Sequence, residues 1–227
     1  LPATVPLLDT ETNAHGGEAS VEIFGALWLG DTFAGFLTAG GQATFYYHAL
    51  SYSPAHPVCP NSWGTYHMFM VDPNYQIRSR TSQFFAAQLL TQEWSQPVDA
   101  EHQLYTAASD IKDAEAHVLV TAYAVLRPDK QWSLLLINKD YDHPHAVRIK
   151  FHDGDADSSF AGPVTMVTFG KAQYQWHPGR KKGYADPDGP AATSTIDANP
   201  DAQYTLPPAS MTVLRGRLKT AAPSQTQ

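Results

Sequence analysis

Glu11 is the residue whose position in this chain most suggests a chemical task. It stands in LLDTETNAHGG, residues 7–17, where a short apolar run ends in two carboxylates, Asp9 and Glu11, that straddle a threonine. Residues 5–9, VPLLD, have the length of a strand and are apolar on both faces, as a buried parallel strand requires. In α/β architectures ligand sites gather at the carboxyl ends of parallel strands. Glu11 is therefore either a solvated strand-end charge or a reactive carboxylate. His48 follows the apolar run ATFYY in the same way, and both residues lead into loops rich in Asn, His, Gly and aromatic types. One pocket served by both strand ends is expected.

The remaining carboxylates of this region have simpler readings. Asp9 lies on the same strand face as Glu11 but one step deeper. Glu18 and Glu22 open a helix, where negative charge is favourable, and Asp31 is a mid-helix residue expected to be paired. The one cysteine, Cys59, excludes an internal disulfide and cysteine-based zinc sites. His143 and His145 alternate in DHPH, but no carboxylate or third histidine stands at a recognisable metal-ligand spacing. No metal is expected.

The 227 residues suffice for one large or two small domains with a real core. A net charge of −7 with only 16% charged residues argues against nucleic acid or an anionic membrane as partner. The basic triplet Arg180-Lys181-Lys182 sits among Gly and Pro signals and reads as a solvated loop. No run approaches the ~18 apolar residues of a membrane span. The chain opens Leu1-Pro2 rather than with Met, and the expectation is a piece of something longer.

Two strand–helix units should position Glu11 and His48. After VPLLD, the spacing of Val21, Phe24, Leu27 or Trp28, and Asp31 predicts a helix over 20–39, with Ser20 as N-cap, Gly40-Gly41 as the left-handed stop, and internal glycines that admit close neighbours. Residues 43–49 read as a second strand and 82–94 as a second helix. Beyond Pro97 short strands alternate with polar turns, which predicts an antiparallel sandwich. Within it, 177–203 reads as a loop excursion, and the tail 220–227 as disordered. Two parallel strands cannot form a stable sheet alone, so further strands are expected from elsewhere.

This order of elements, T-E-T-N at a strand end, then helix, aromatic strand, W-G loop, helix and β-sandwich, resembles the C-terminal part of clan A retaining glycoside hydrolases. Families 39, 30, 51 and 79 are nearest in layout. The stretch TAYAVLRPDKQWSLLLINKD, with a strand ending in L-x-N-K, and the closing ASMTVLRGRL are similar to the appended sandwich of those enzymes. The resemblance implies a fold of α/β plus all-β class. Residues 1–95 would be the last two β/α units of a (β/α)8 TIM barrel, incomplete in this chain, and residues 96–219 an antiparallel β-sandwich.

The resemblance also implies roles. Glu11, after Thr10, would be the nucleophile of a retaining glycoside hydrolase acting by double displacement. Its acid/base would come from an upstream segment or a second chain completing the barrel, so this chain alone would be inactive. Such a nucleophile must stay ionised beside a second carboxyl roughly 5–5.5 Å away. Tyr46, Tyr47 and His48 could supply donors. Trp63 and Tyr66, with Tyr52, would offer aromatic faces to a sugar, and Asn13 and His15 would orient it. No cofactor is called for; the partner is a carbohydrate. With only Arg78 and Arg80 in the barrel part, a neutral sugar is favoured, and secretion or a periplasmic location is expected from the class. The alternative is a non-catalytic carbohydrate-binding or structural β-sandwich module.

Overall fold

The computed structural model describes residues 5–14, 18–49, 66–72, 74–153, 156–178 and 183–219. His15, Trp63, Tyr52, Cys59, the Arg180–Lys182 triplet and the tail 220–227 lie outside the described residues.

The chain begins with strand β1 (Leu8–Thr12), helix α1 (Ile23–Thr38) and strand β2 (Ala43–Tyr46). β1 and β2 pair in parallel, as a strand–helix–strand order dictates. α1 ends where the sequence says it should. Gly40 adopts φ +96°, a left-handed conformation that costs glycine little. Its N–H reaches Leu37 O, and the Gly41 N–H reaches Phe36 O, which is the Schellman pattern. The helix start differs from expectation. Ser20 belongs to a preceding 3₁₀ turn, Glu18–Ser20, and Glu22 occupies the cap position without a side-chain cap bond. Close packing moves the start inward, because the Ser20 carbonyl sits against Gly25, where no Cβ could fit.

β1 also departs from its expected burial. Val5, Leu7 and Leu8 are 50%, 47% and 49% exposed, and Phe45 on β2 is 54% exposed. The β1–β2 sheet has only two strands among the described residues, so apolar residues suited to an interior remain uncovered. After β2, strands β3 (Phe69–Val71) and β4 (Ile77–Arg80) form an antiparallel hairpin. Helix α2 (Ser82–Gln88) follows and runs on as a π-helix, Leu89–Trp94. Phe85 and Leu89, one helical turn apart, are both buried.

The rest is β-structure: β5 (Gln103–Tyr105), β6 (Val120–Leu126), β7 (Trp132–Asn138), β8 (His145–Val147), β9 (Phe151–Asp153), β10 (Ala156–Ser158), β11 (Phe160–Gly170), β12 (Tyr174–His177), β13 (Tyr184–Asp188), β14 (Ala192–Ala198), β15 (Tyr204–Leu206) and β16 (Ser210–Leu218). Six of these strands build one sheet in the order β14-β11-β16-β7-β6-β5, and every neighbouring pair in it is antiparallel. The stretch read as a loop excursion instead contributes β13 and the edge strand β14. In ATSTIDA one face carries only Ile196 and Ala198 against the second core and the other is Thr and Asp, an apolar alternation too faint to mark its pairing to β11.

This sheet is buried on both faces, and the period-2 pleat sorts its residues between two cores. Val125, Leu135, Ile137, Val167, Phe169, Met211 and Val213 face α1, α2 and the π-helix. Ala124, Leu134, Leu136, Val164 and Leu214 face a second layer with Val147, Tyr204 and Leu206 of the β8–β15 pair. A single apolar cluster thus joins residues on both sides of position 95. Polar ties reinforce it. Asp31 of α1 accepts from the hydroxyls of Thr121 and Tyr123 and pairs with Lys139, as expected for a paired mid-helix carboxylate. Asn138, the N of the L-x-N-K signature, donates to Pro207 O at 2.8 Å and His143 O at 3.1 Å.

Candidate functional site

Glu11 is the penultimate residue of β1 and is exposed. Its strand is irregular at that point. Leu8 pairs with Ala43 and Asp9 with Thr44, but the next pair is Thr12 with Tyr46. β1 therefore carries one extra residue across Thr10–Glu11, a β-bulge. Bulges re-aim side chains and concentrate at barrel rims and next to active sites. The alternation that would put Asp9 and Glu11 on one face is broken here. Asp9 is half-buried and accepts from Thr44 Oγ1 at 3.0 Å, so it pins the two strands together.

Beyond the bulge the parallel ladder resumes, with Tyr47 N–H donating to Thr12 O at 2.9 Å. Here the structure gathers Asn13, Tyr46, Tyr47, His48 and Tyr66 into one cluster. Asn13 Nδ2 donates to Tyr66 O at 3.0 Å and to Tyr47 O. Tyr46 Oη shares its one proton between Tyr66 O at 2.8 Å and Gln83 Oε1, and Gln83 Nε2 donates to Asn13 Oδ1 at 2.8 Å. The Tyr66 carbonyl also receives the His48 N–H at 3.3 Å. Burial pushes the Tyr46 phenol well above its usual range, against the opposing effect of its bond with Asn13. The Tyr46 hydroxyl therefore stays protonated and serves this cluster.

The aromatic rings form a second tier. Tyr47 meets His48 edge-on at 4.5 Å and Tyr66 at 6.4 Å. His48 in turn lies 4.6 Å from His67, which is buried. The Tyr47–His48 peptide is cis. Gln83 and His67 were not among the sequence candidates. Gln83 stands beside Ser82 at the start of α2, where polar residues are ordinary, so nothing local in the sequence sets it apart; its full burial is seen only in the structure.

Among the described residues, other clusters of ionisable groups include two that bring histidines and carboxylates together on turns. Asp140 accepts from His145 Nε2 at 3.1 Å and faces His143 Nδ1 at 3.3 Å. The carboxylate missing from the sequence reading of DHPH is thus brought in from three residues upstream. Asp113, Glu115 and His117 bring ligand-type atoms within 4.8 Å of one another on a solvent-facing turn. There Asp113 caps its own turn through the N–H groups of Glu115 and His117.

The fold is similar to that of part of several glycoside hydrolases of known structure. In particular, 93% of the chain aligns with the GH51 α-L-arabinofuranosidase from Thermotoga petrophila RKU-1, over 43% of that chain, with TM-score 0.58 and 10% identity. The catalytic domain of GH30 xylanase C from Talaromyces cellulolyticus matches 96% of this chain over 41% of its own, with TM-score 0.57 and 13% identity. Cel44A, a GH family 44 endoglucanase from Clostridium thermocellum, matches 95% over 32%, with TM-score 0.54 and 16% identity. At such identities the likeness is one of fold, and this chain spans less than half the length of each of these structures. Families 30 and 51 are two of the four that the sequence resembles; family 44 is an addition. No protein-family model matches the sequence, and no curated protein does. Among the described residues no helix is long and apolar enough to cross a membrane.

Proposed function

We propose that this chain supplies the nucleophile, Glu11, of a retaining glycoside hydrolase, within the last two β/α units of a (β/α)8 barrel followed by a β-sandwich. The observation that carries the reading is the end of β1, where an exposed glutamate sits on a bulge at the carboxyl end of a parallel strand. In the first step the Glu11 carboxylate attacks the anomeric carbon and the glycosidic C–O bond breaks. The leaving oxygen takes a proton from the acid/base. Water, deprotonated by that same group, then attacks the glycosyl ester and releases Glu11.

The acid/base belongs to polypeptide outside this chain, on an upstream segment or a second chain. Two features support a further β/α unit packing here. Leu7, Leu8 and Phe45 leave apolar surface on the parallel pair. An apolar groove of about 340 Å³ also opens between Phe33, Leu37, Ala43, Leu90 and Trp94. That groove lies at the C-terminal ends of the helices, opposite Glu11, which suits packing rather than catalysis. In this scheme Tyr47, His48 and Tyr66 meet the sugar, while Asn13 and Tyr46 hold the frame on which they stand. His15 and Trp63 are assigned from sequence to the same pocket. The substrate is a carbohydrate and the protein is secreted or periplasmic, where polymeric glycans are met.

The test is Glu11→Gln in the full-length protein. Hydrolysis of aryl glycosides should fall on the order of 10³-fold or more, and a 2-fluoro glycoside should leave a covalent adduct on the peptide containing Glu11. Undiminished hydrolysis, or labelling at another carboxylate, would overturn the assignment.

A further inference from the structure

The β12–β13 hairpin leaves the sandwich and settles on the strand-end side of the α/β units. Its root is fixed there. Tyr174 Oη donates to Val21 O at 2.7 Å, just before α1, and the Tyr174 ring lies 6.2 Å from Phe85 in the first turns of α2. Gly189 closes the base through a 2.7 Å bond from its N–H to Gln173 O, and it packs so tightly on the Phe85 ring that a Cβ would collide. Both helices start from the carboxyl side of the strands that precede them, so the hairpin stands at the same end of the fold as Glu11.

The hairpin is two-faced, as its period-2 alternation requires. Trp176 is buried, pressed against Gly183, and its cross-strand partner Ala185 packs on the same core. The next pair, His177 and Tyr184, points the other way. Their rings stack at 5.0 Å with an interplanar angle of 23°. His177 is held by a 3.0 Å contact from Nε2 to Asp186 O. Tyr184 is 57% exposed. A large aromatic ring is thus oriented by a stacked neighbour while its outer face remains open to solvent. The β4 strand packs alongside β13 and brings Ile77, 54% exposed, to the same region.

We propose that the His177–Tyr184 pair is a distal sugar-binding subsite, with the open face of Tyr184 stacking on the apolar C–H face of a pyranose ring in a polysaccharide chain. The proposal rests on the glycosidase reading, and it extends the substrate from a single glycosidic bond to a polymer long enough to reach from Glu11 to the hairpin. A ring already fixed by its stacked partner loses little conformational freedom on binding, which favours affinity. The carboxylates of Asp186 and Asp188, on the same strand, are available to sugar hydroxyls.

Affinity electrophoresis of the full-length protein through gels containing soluble xylan or hydroxyethylcellulose tests this without requiring turnover. At least one polymer should retard the wild type. Tyr184→Ala should weaken the interaction by about tenfold, while Tyr184→Phe, which keeps the ring, should be retarded like the wild type. His177→Ala, which frees the ring, should fall between them and gives a second route if the Ala variant at Tyr184 does not fold. Equal retardation of Tyr184→Ala and wild type, or no retardation by either polymer, would overturn the subsite. The outcome is independent of Glu11, because loss of the nucleophile assignment would leave the retardation unchanged.

Discussion

Gln83 Nε2 donates to Asn13 Oδ1 at 2.8 Å across 70 residues of sequence, joining the first turn of α2 to the segment that follows Glu11. Through the Tyr46 hydroxyl the same cluster ties the end of β2 to the Tyr66 carbonyl and to Gln83. The polar side chains near the strand ends thus form a closed network whose members satisfy one another. Partly dismantled networks of this kind are costly, because each orphaned group keeps its desolvation penalty.

Gln83→Leu should accordingly destabilise the protein by about 1–3 kcal/mol, since it leaves Asn13 Oδ1 without its donor while Tyr46 Oη keeps the Tyr66 carbonyl as acceptor. Urea denaturation should show a lower midpoint with an unchanged slope. A change below about 0.5 kcal/mol would show that the cluster is not a structural frame.

Asp31 ties α1 to the large sheet, receiving Tyr123 Oη at 2.7 Å and Lys139 Nζ at 3.4 Å. Asp31→Ala should cost about 1–3 kcal/mol. In a double-mutant cycle with Tyr123→Phe the two losses should not add, with a coupling of roughly 0.5–3 kcal/mol. Additive losses would mean that the tether carries no energy of its own.

Gly25→Ala would ordinarily strengthen a helix by about 1 kcal/mol. Here the new Cβ would overlap the Ser20 carbonyl, a backbone group, and overpacking typically costs about 1–3 kcal/mol. The clash should win because backbone cannot swing aside as a flexible side chain can. A thermal midpoint below that of the wild type is expected; a rise would show that the 3₁₀ turn before α1 yields easily.

Asp140 should shape the acid limb of stability. Its carboxyl is held down to about 2, first by the Asp142 N–H, then by the N–H of His143 and the rings of His145 and His143, against the opposing effect of burial. A folded pKa below the unfolded value of about 3.9 gives stability that is complete above that value and lost as pH falls through about 2. Asp140→Asn should flatten the fall in denaturation midpoint between about pH 4 and pH 2. A variant whose acid limb matches the wild type would contradict this.

Much of the scaffold was legible because it depends on local pattern. Short apolar runs such as WSLLLIN and SMTVLRG, set between polar turns, marked strands of an antiparallel sheet, and the Gly40-Gly41 pair marked the end of α1. The same reading failed at ATSTIDA. An edge strand of Thr, Ser, Ala and Asp with a single large apolar residue, Ile196, relies mainly on the hydrogen bonds of β11, and its hydrophobic alternation is faint. It also overestimated the burial of VPLLD, where apolar composition reports what a strand is suited to cover rather than what covers it here.

The candidate site divides in the same way. By itself the sequence determined that a glutamate closes a parallel strand, that aromatic residues follow the next strand, and that strand–helix units precede an antiparallel sheet. Each of these is written in neighbouring residues through propensity and period. Only the tertiary structure decided that β1 bulges at Thr10–Glu11, that Asn13 and Tyr46 turn to Gln83, and that the β12–β13 hairpin packs against Val21 and Phe85. A bulge is a mismatch of register between two strands, and a buried polar network is a match between groups far apart in sequence. Neither exists until the chain has folded back on itself.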